Sequence, residues 1–226
     1  MPRSVLPVED CVFRLDYRDG FRQAFPMTFE NVGLSEDGFV FDGTGDIDIK
    51  FRQNISEGSI FFTLIMPEFD GSYHSVYDAG YHSGFPYGDM AYIDNDSNVL
   101  SIYLRNTSNT STSKTFFHNL TPGLEYQFGY TWDGTEVRFY KNGVVYEIEP
   151  FSGILGRTND GNIAKGGYNN GIFKMKKFEE FSRALTAQEV ADRYNQSTFL
   201  FLNNTPTPTQ QAYLDWQDSR IIGRSR

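Results

Sequence analysis

The chain has 226 residues, a formal net charge of −9, aromatic side chains at 16% of positions, 21 glycines and a single cysteine. The acidic balance argues against binding nucleic acid or an anionic membrane through general electrostatics, and the lone Cys11 excludes an internal disulfide framework. The length suits one β-sandwich domain, and many aromatics with many glycines suit strands joined by turns.

Residues 1–10 read as an N-terminal arm carrying Pro2 and Pro7. They hold no long apolar stretch, so no signal peptide is expected, and no later run reaches the length of a membrane span. Val12 to Tyr17 alternates as a first strand, residues 21–36 read as irregular, and Gly38 to Asp42 is a short strand. Ile47, Ile49 and Phe51 alternate with Asp46, Asp48 and Lys50, the pattern of a half-buried strand. Ser59 to Met66 is almost continuously apolar, which predicts a central strand covered on both faces and ended by Pro67.

Residues 68–98 are crowded with Gly, Asp, Ser, His and Tyr, with short strands expected at Ser75 to Asp78 and Met90 to Ile93. Val99 to Arg105 is a clearer strand, and Asn106 to Ser113 is a polar loop of mobile character. Tyr126, Phe128, Tyr130 and Trp132 then alternate with smaller residues. Asp133-Gly134 and Asn142-Gly143 break this run into three successive antiparallel strands, because these pairs tolerate the positive φ of tight turns. A Gly-rich loop at 151–162 precedes strands at Ile163 to Tyr168 and Phe173 to Phe181, the latter partly exposed through Lys174, Lys176 and Lys177. Thr186 with Glu189 forms a capping box, so one short helix is predicted from there to about Asn195. Residues 197–226 combine Phe199 and Phe201 with a TPTPT stretch, then Tyr213 and Trp216. Such a tail cannot build its own core; it is either disordered or docked on a partner, with those four aromatics as docking residues.

Three blocks resemble the laminin-G-like, or concanavalin A-like, jelly-roll family of lectins and glucanases. Tyr130 to Gly143 is similar to its tryptophan–turn–strand–tyrosine–Asn-Gly pattern. Phe178 to Val190 is similar to its closing strand, Arg-Ala-Leu-Thr turn and short helix. Phe41-Asp42-Gly43-Thr44-Gly45-Asp46 is similar to an early strand pair. The resemblance covers about residues 10–196. It implies an all-β fold, a two-sheet antiparallel jelly-roll sandwich at 11–196 with one C-terminal helix and extended terminal arms. It also makes Trp132 and Tyr140 scaffold residues rather than ligand-stacking ones.

Chemistry is sparse. Glu68 with Asp70, and Glu147 with Glu149, have the two-residue spacing that puts both carboxylates of a glucanase on one strand face, yet neither pair has the expected surroundings. No catalytic residue is therefore assigned, and the three histidines show no metal-ligand spacing. His74 and His82, in the Gly-rich region, are expected at the surface. Asp89, Asp94 and Asp96 cluster in a turn-rich segment and are the candidate Ca²⁺ ligands. Tyr73, Tyr77, Tyr81, Tyr87 and Tyr92 are dense nearby. They stack on sugars, bury at a protein interface or pack on the sheet, and the sequence leaves these three readings open.

The expectation drawn from this is a non-catalytic module of a bacteriophage virion: a capsid decoration, head fibre or tail appendage, made in the host cytoplasm. It docks through its arms on other virion proteins or copies of itself, and binding of host or environmental glycans is compatible with that role. A free-standing lectin is the alternative, and a glycoside hydrolase the least favoured reading.

Overall fold

The computed structural model describes residues 11–16, 20–23, 27–52, 55–68, 70–80, 88–94, 98–110, 112–157, 160–166 and 169–201. In chain order the strands are β1 (Cys11–Asp16), β2 (Gly20–Gln23), β3 (Thr28–Glu30), β4 (Gly33–Ser35), β5 (Gly38–Asp42), β6 (Asp46–Lys50), β7 (Gly58–Ile65), β8 (Tyr73–Asp78), β9 (Gly88–Asp94), β10 (Val99–Arg105), β11 (Thr112–Phe117), β12 (Glu125–Trp132), β13 (Glu136–Lys141), β14 (Val144–Pro150), β15 (Asp160–Ile163) and β16 (Ile172–Phe181), followed by helix α1 (Ala187–Phe201).

The strands make two antiparallel sheets. The back sheet runs β14-β13-β12-β7-β16-β1-β2, with β5 joined to β16 and β4 to β5. The front sheet runs β11-β10-β9-β8-β15-β6-β3. Alternate residues of both sheets meet between them, as expected when each sheet buries one face. Phe62 of β7 stacks on Phe178 of β16 at 6.2 Å between centroids, Tyr77 of β8 meets Phe178 edge-on at 5.4 Å, and Phe117 of β11 reaches Phe128 of β12 at 5.0 Å. Each such buried ring contributes about 1.5–3 kcal/mol relative to exposure. At one margin β14 faces β11: Thr115 donates to Glu147 at 2.5 Å and Ser113 to Glu149 at 2.6 Å. The shared-face carboxylates of β14 thus lace the two sheets together.

The apolar run of β7 is central, paired with β12 on one side and β16 on the other. Its inner residues enter the main core. On its other face Phe61 joins Cys11, Tyr140, Phe181, Leu185 and Val190 in a second cluster beneath α1. The capping box is formed: Thr186 N donates to Glu189 Oε2 at 2.8 Å, and Glu189 N to Thr186 Oγ1 at 3.3 Å. Asn142 (φ 53°) and Gly143 (φ 76°) make the β13–β14 turn. A Cβ on Gly143 would stand 2.7 Å from Tyr194 of α1, so the turn also admits the helix.

Several expectations change. Residues 28–35 include two short strands, β3 and β4, where irregular chain was expected. The polar loop after β10 is anchored by buried Asn106, whose amide donates to Ser152 O and Thr110 Oγ1 and whose carbonyl accepts from Thr110 N. β11 begins at Thr112, within the stretch read as loop. The strand expected at Ile163 to Tyr168 is β15, ending at Ile163. Lys176 and Lys177 are buried rather than exposed, because Glu125 and Glu179 pair with them at 2.7 and 2.9 Å. Helix α1 continues past Asn195 to Phe201, so the backbone at Phe199 and Phe201 is helical rather than tail. Among the described residues no helix is long and apolar enough to cross a membrane.

Candidate aromatic face and buried charge cluster

Strand parity sorts the candidate residues of β8 and β9. On β9, Asp89, Ala91 and Ile93 turn into the sandwich, so Met90, Tyr92 and Asp94 turn out. Asp89 and Asp94 are an odd number of positions apart and lie on opposite faces. On β8 a bulge between Ser75 and Tyr77 shifts the register. Tyr73 and Tyr77, which even spacing would place together, end on opposite faces.

Tyr77 and Asp89 therefore belong to the interior, which corrects their assignment to ligand and metal binding. Arg157, fully buried, donates from Nε to Asp89 Oδ1 at 2.5 Å, from Nη2 to Asp89 Oδ2 at 2.8 Å, and from Nη1 to Glu180 Oε1 at 2.7 Å. Tyr130 OH also donates to Asp89 Oδ2, and Tyr77 OH to the same oxygen at 3.2 Å. Arg52 Nε reaches Glu180 Oε1 at 3.3 Å. Two carboxylates and two guanidiniums balance in charge. The Arg157 guanidinium lies 5.3 Å from the ring centres of Phe51 and Trp132. Burial pushes the Glu180 carboxyl up despite both arginines. It likewise pushes the Tyr77 and Tyr130 hydroxyls far above their ordinary range, with the Asp89 charge adding to it. With Asp89 closed to solvent, this cluster ties β9 to β12 and β16. Among the described residues no three His, Cys, Asp or Glu side chains converge to hold a metal. Asp96 lies outside the described residues.

His74, expected at the surface, is also buried. Its Nδ1 meets Asn170 O at 2.9 Å and its Nε2 meets Asp70 Oδ2 at 3.1 Å, pinning the start of β8 to the segment before β16.

The outer face of the front sheet is different. Tyr73 lies 5.8 Å from Tyr92, and Tyr92 stacks on Tyr103 at 5.7 Å with 22° between planes. Cross-strand register continues the row. Tyr103 faces Lys114 and Ser101 faces Phe116. Lys114 Nζ sits 4.1 Å above the Tyr103 ring and 3.9 Å above the Phe116 ring. His118 follows, 6.2 Å from Phe116. The ends of the row are open, with Tyr73 39% and Phe116 40% exposed, while Tyr92 is covered to 5%. Burial among the rings lowers the Lys114 ammonium from its ordinary value, partly offset by Asp94. The result is a strip of aromatic faces across β8 to β11 with one cation in it, a surface suited to stacking against the C–H faces of sugar rings.

Of the expected ligand residues, the structure thus leaves Tyr73 exposed on this strip, makes Tyr92 its packed middle and removes Tyr77. Tyr81 and Tyr87 lie outside the described residues, as do Tyr213 and Trp216. Tyr103, Lys114 and Phe116 were not singled out from sequence as ligand residues. Their signal was the alternation in β10 and β11, but the low-complexity run beside β11 concealed it.

No protein-family model and no curated protein matches the chain. Solved structures do. The chain is similar to the receptor-binding domain of botulinum neurotoxin type G (17% identity, TM-score 0.62, 84% of this chain and 52% of that one). It is also similar to the serotype D ligand-binding domain in complex with N-acetylneuraminic acid (12% identity, TM-score 0.68, 83% and 51%), and to the receptor-binding domain of botulinum neurotoxin D (11% identity, TM-score 0.68, 83% and 53%). The chain spans about half the length of these domains. At such identity the likeness establishes a shared β-sandwich fold.

Proposed function

We propose that this chain is a non-catalytic glycan-binding module whose ligand stacks on the outer face of the front sheet. The observation that carries the reading is the row Tyr73–Tyr92–Tyr103–Phe116, with large aromatic area at both ends open to solvent. The carboxylate pair of β14 is engaged by buried hydroxyls of β11, which supports a binding rather than a hydrolytic role. The likeness to a domain solved with N-acetylneuraminic acid supports the same class of ligand. A glycan array read with the wild type, Tyr73→Ala and Phe116→Ala tests it. Binding weakened about fivefold or more by each variant, with unchanged thermal unfolding, is expected, since an anchoring aromatic contributes more than about 1 kcal/mol. Failure to bind any glycan, or binding indifferent to both substitutions, overturns it.

The setting we propose is a bacteriophage virion, with the module docked through residues 197–226. The apolar and proline-rich composition of that segment supports this. A chain lacking residues 197–226 should bind glycans but fail to assemble; particle incorporation of the shortened chain refutes the docking role.

A further inference from the structure

Four lysines elsewhere in the described chain pair with carboxylates, while Lys141 donates to the His118 carbonyl at 3.2 Å. Lys165 pairs with Asp46, Lys174 with Asp37, Lys176 with Glu125 and Lys177 with Glu179, at 2.7 to 3.1 Å. That is the expected condition in a chain with 29 Asp and Glu against 20 Lys and Arg. Lys114 differs. The described contacts of its ammonium are the two ring faces; Glu149 accepts only from its backbone N–H, at 3.3 Å, and Asp94 acts on the ammonium through the field rather than an ion pair.

An ammonium has three N–H donors in a compact head. Aromatic faces below it attract the charge but accept no strong hydrogen bond, so donors remain for a ligand. The rings also take water away from the ammonium, which strengthens any ion pair it forms. Asp94 offsets part of the ammonium's charge, so the site is better matched to a singly charged group than to a doubly charged one.

From this we infer that the front face selects glycans carrying a carboxylated sugar, with the carboxylate on Lys114 Nζ and the ring of that sugar, or of its neighbour, on Tyr103 or Phe116. The inference rests on the glycan-binding reading and narrows it to a ligand class. Sialic and uronic acids share this chemistry, and two probe pairs separate them: 3′-sialyllactose against lactose, and oligogalacturonate against its methyl ester, which keeps the ring and removes the charge.

The test is titration calorimetry of the full chain with all four probes at low and high salt. In at least one pair the charged member should bind about tenfold tighter, as expected for one charge-assisted contact, with the preference shrinking at high salt. Lys114→Met keeps the aliphatic stem between the rings and should bring the ratio to about one, while Lys114→Arg keeps the preference. Equal binding of charged and neutral members, or a preference that survives Lys114→Met, overturns the carboxylate assignment and leaves glycan binding standing. If no probe binds and the array is also blank, both readings fall.

Discussion

Replacing Arg157 with Met removes the cation on which the interior depends. Asp89 then loses both guanidinium donors, at 2.5 and 2.8 Å, and keeps only the hydroxyls of Tyr130 and Tyr77. Glu180 loses its 2.7 Å partner and keeps Arg52 at 3.3 Å. The methionine fills much of the volume between Phe51 and Trp132, so the cost is that of a carboxylate left buried without its counter-charge. Breaking such a pair costs about 3–5 kcal/mol, against a total stability of about 5–15 kcal/mol for a domain. At about 2–4 °C per kcal/mol for a chain of this size, the midpoint should fall by about 6–20 °C. Urea unfolding followed by tryptophan fluorescence is the natural assay, because Trp132 lies against the guanidinium. The paired variant Arg157→Met with Asp89→Asn removes the orphan charge and should recover about half of the loss or more. The coupling between the two sites should then exceed about 2 kcal/mol. A loss below about 1 kcal/mol in the single variant, or strictly additive losses in the pair, refutes the account of this cluster as the tie between sheets.

Two further outcomes follow from titratable groups. Glu189 is held down at about 2, first by Arg183 and then by Thr186. A depressed carboxylate contributes stability above its unfolded value near 4.3 and loses it as pH falls from there toward 2. Glu189→Gln should thus cost about 1 kcal/mol at pH 7, the scale of a helix cap in contact with water, and almost nothing at pH 2; a difference that persists unchanged at pH 2 contradicts the capping role. The Cys11 thiol is pushed up to about 11, chiefly by burial with the Glu179 charge adding to it. Labelling with a disulfide reagent at pH 8 should follow the opening of the domain and accelerate with urea, whereas native-state labelling as fast as a free thiol contradicts the burial beneath α1.

The two halves of the candidate site were legible to different degrees. Tyr73 and Tyr92 were found because aromatics were dense in one segment. Whether each faced water was not legible, since that depends on an inserted residue between Ser75 and Tyr77 that changes no composition. Lys114 and Phe116 were passed over because a low-complexity neighbour resembles loop, and their significance comes from Tyr103 on the next strand. Arg157 sat in a Gly-rich stretch read as irregular. Nothing local marks a loop arginine as fully buried; it is buried because Asp89 and Glu180, far apart in sequence, converge there.

By itself the sequence determined the local chemistry of the fold. Strand periodicity, the Asn142-Gly143 turn and the Thr186–Glu189 cap all act between neighbours, so their physics is written in short stretches, and the structure forms each of them. Tertiary structure decided what those elements meet. It chose the strand order, turned Tyr77 and Asp89 inward and Tyr73 outward, and set Lys114 between two rings from adjacent strands. These outcomes depend on register and on pairing across the sandwich. A one-residue shift in either exchanges buried and exposed faces without changing the pattern from which the strands are read.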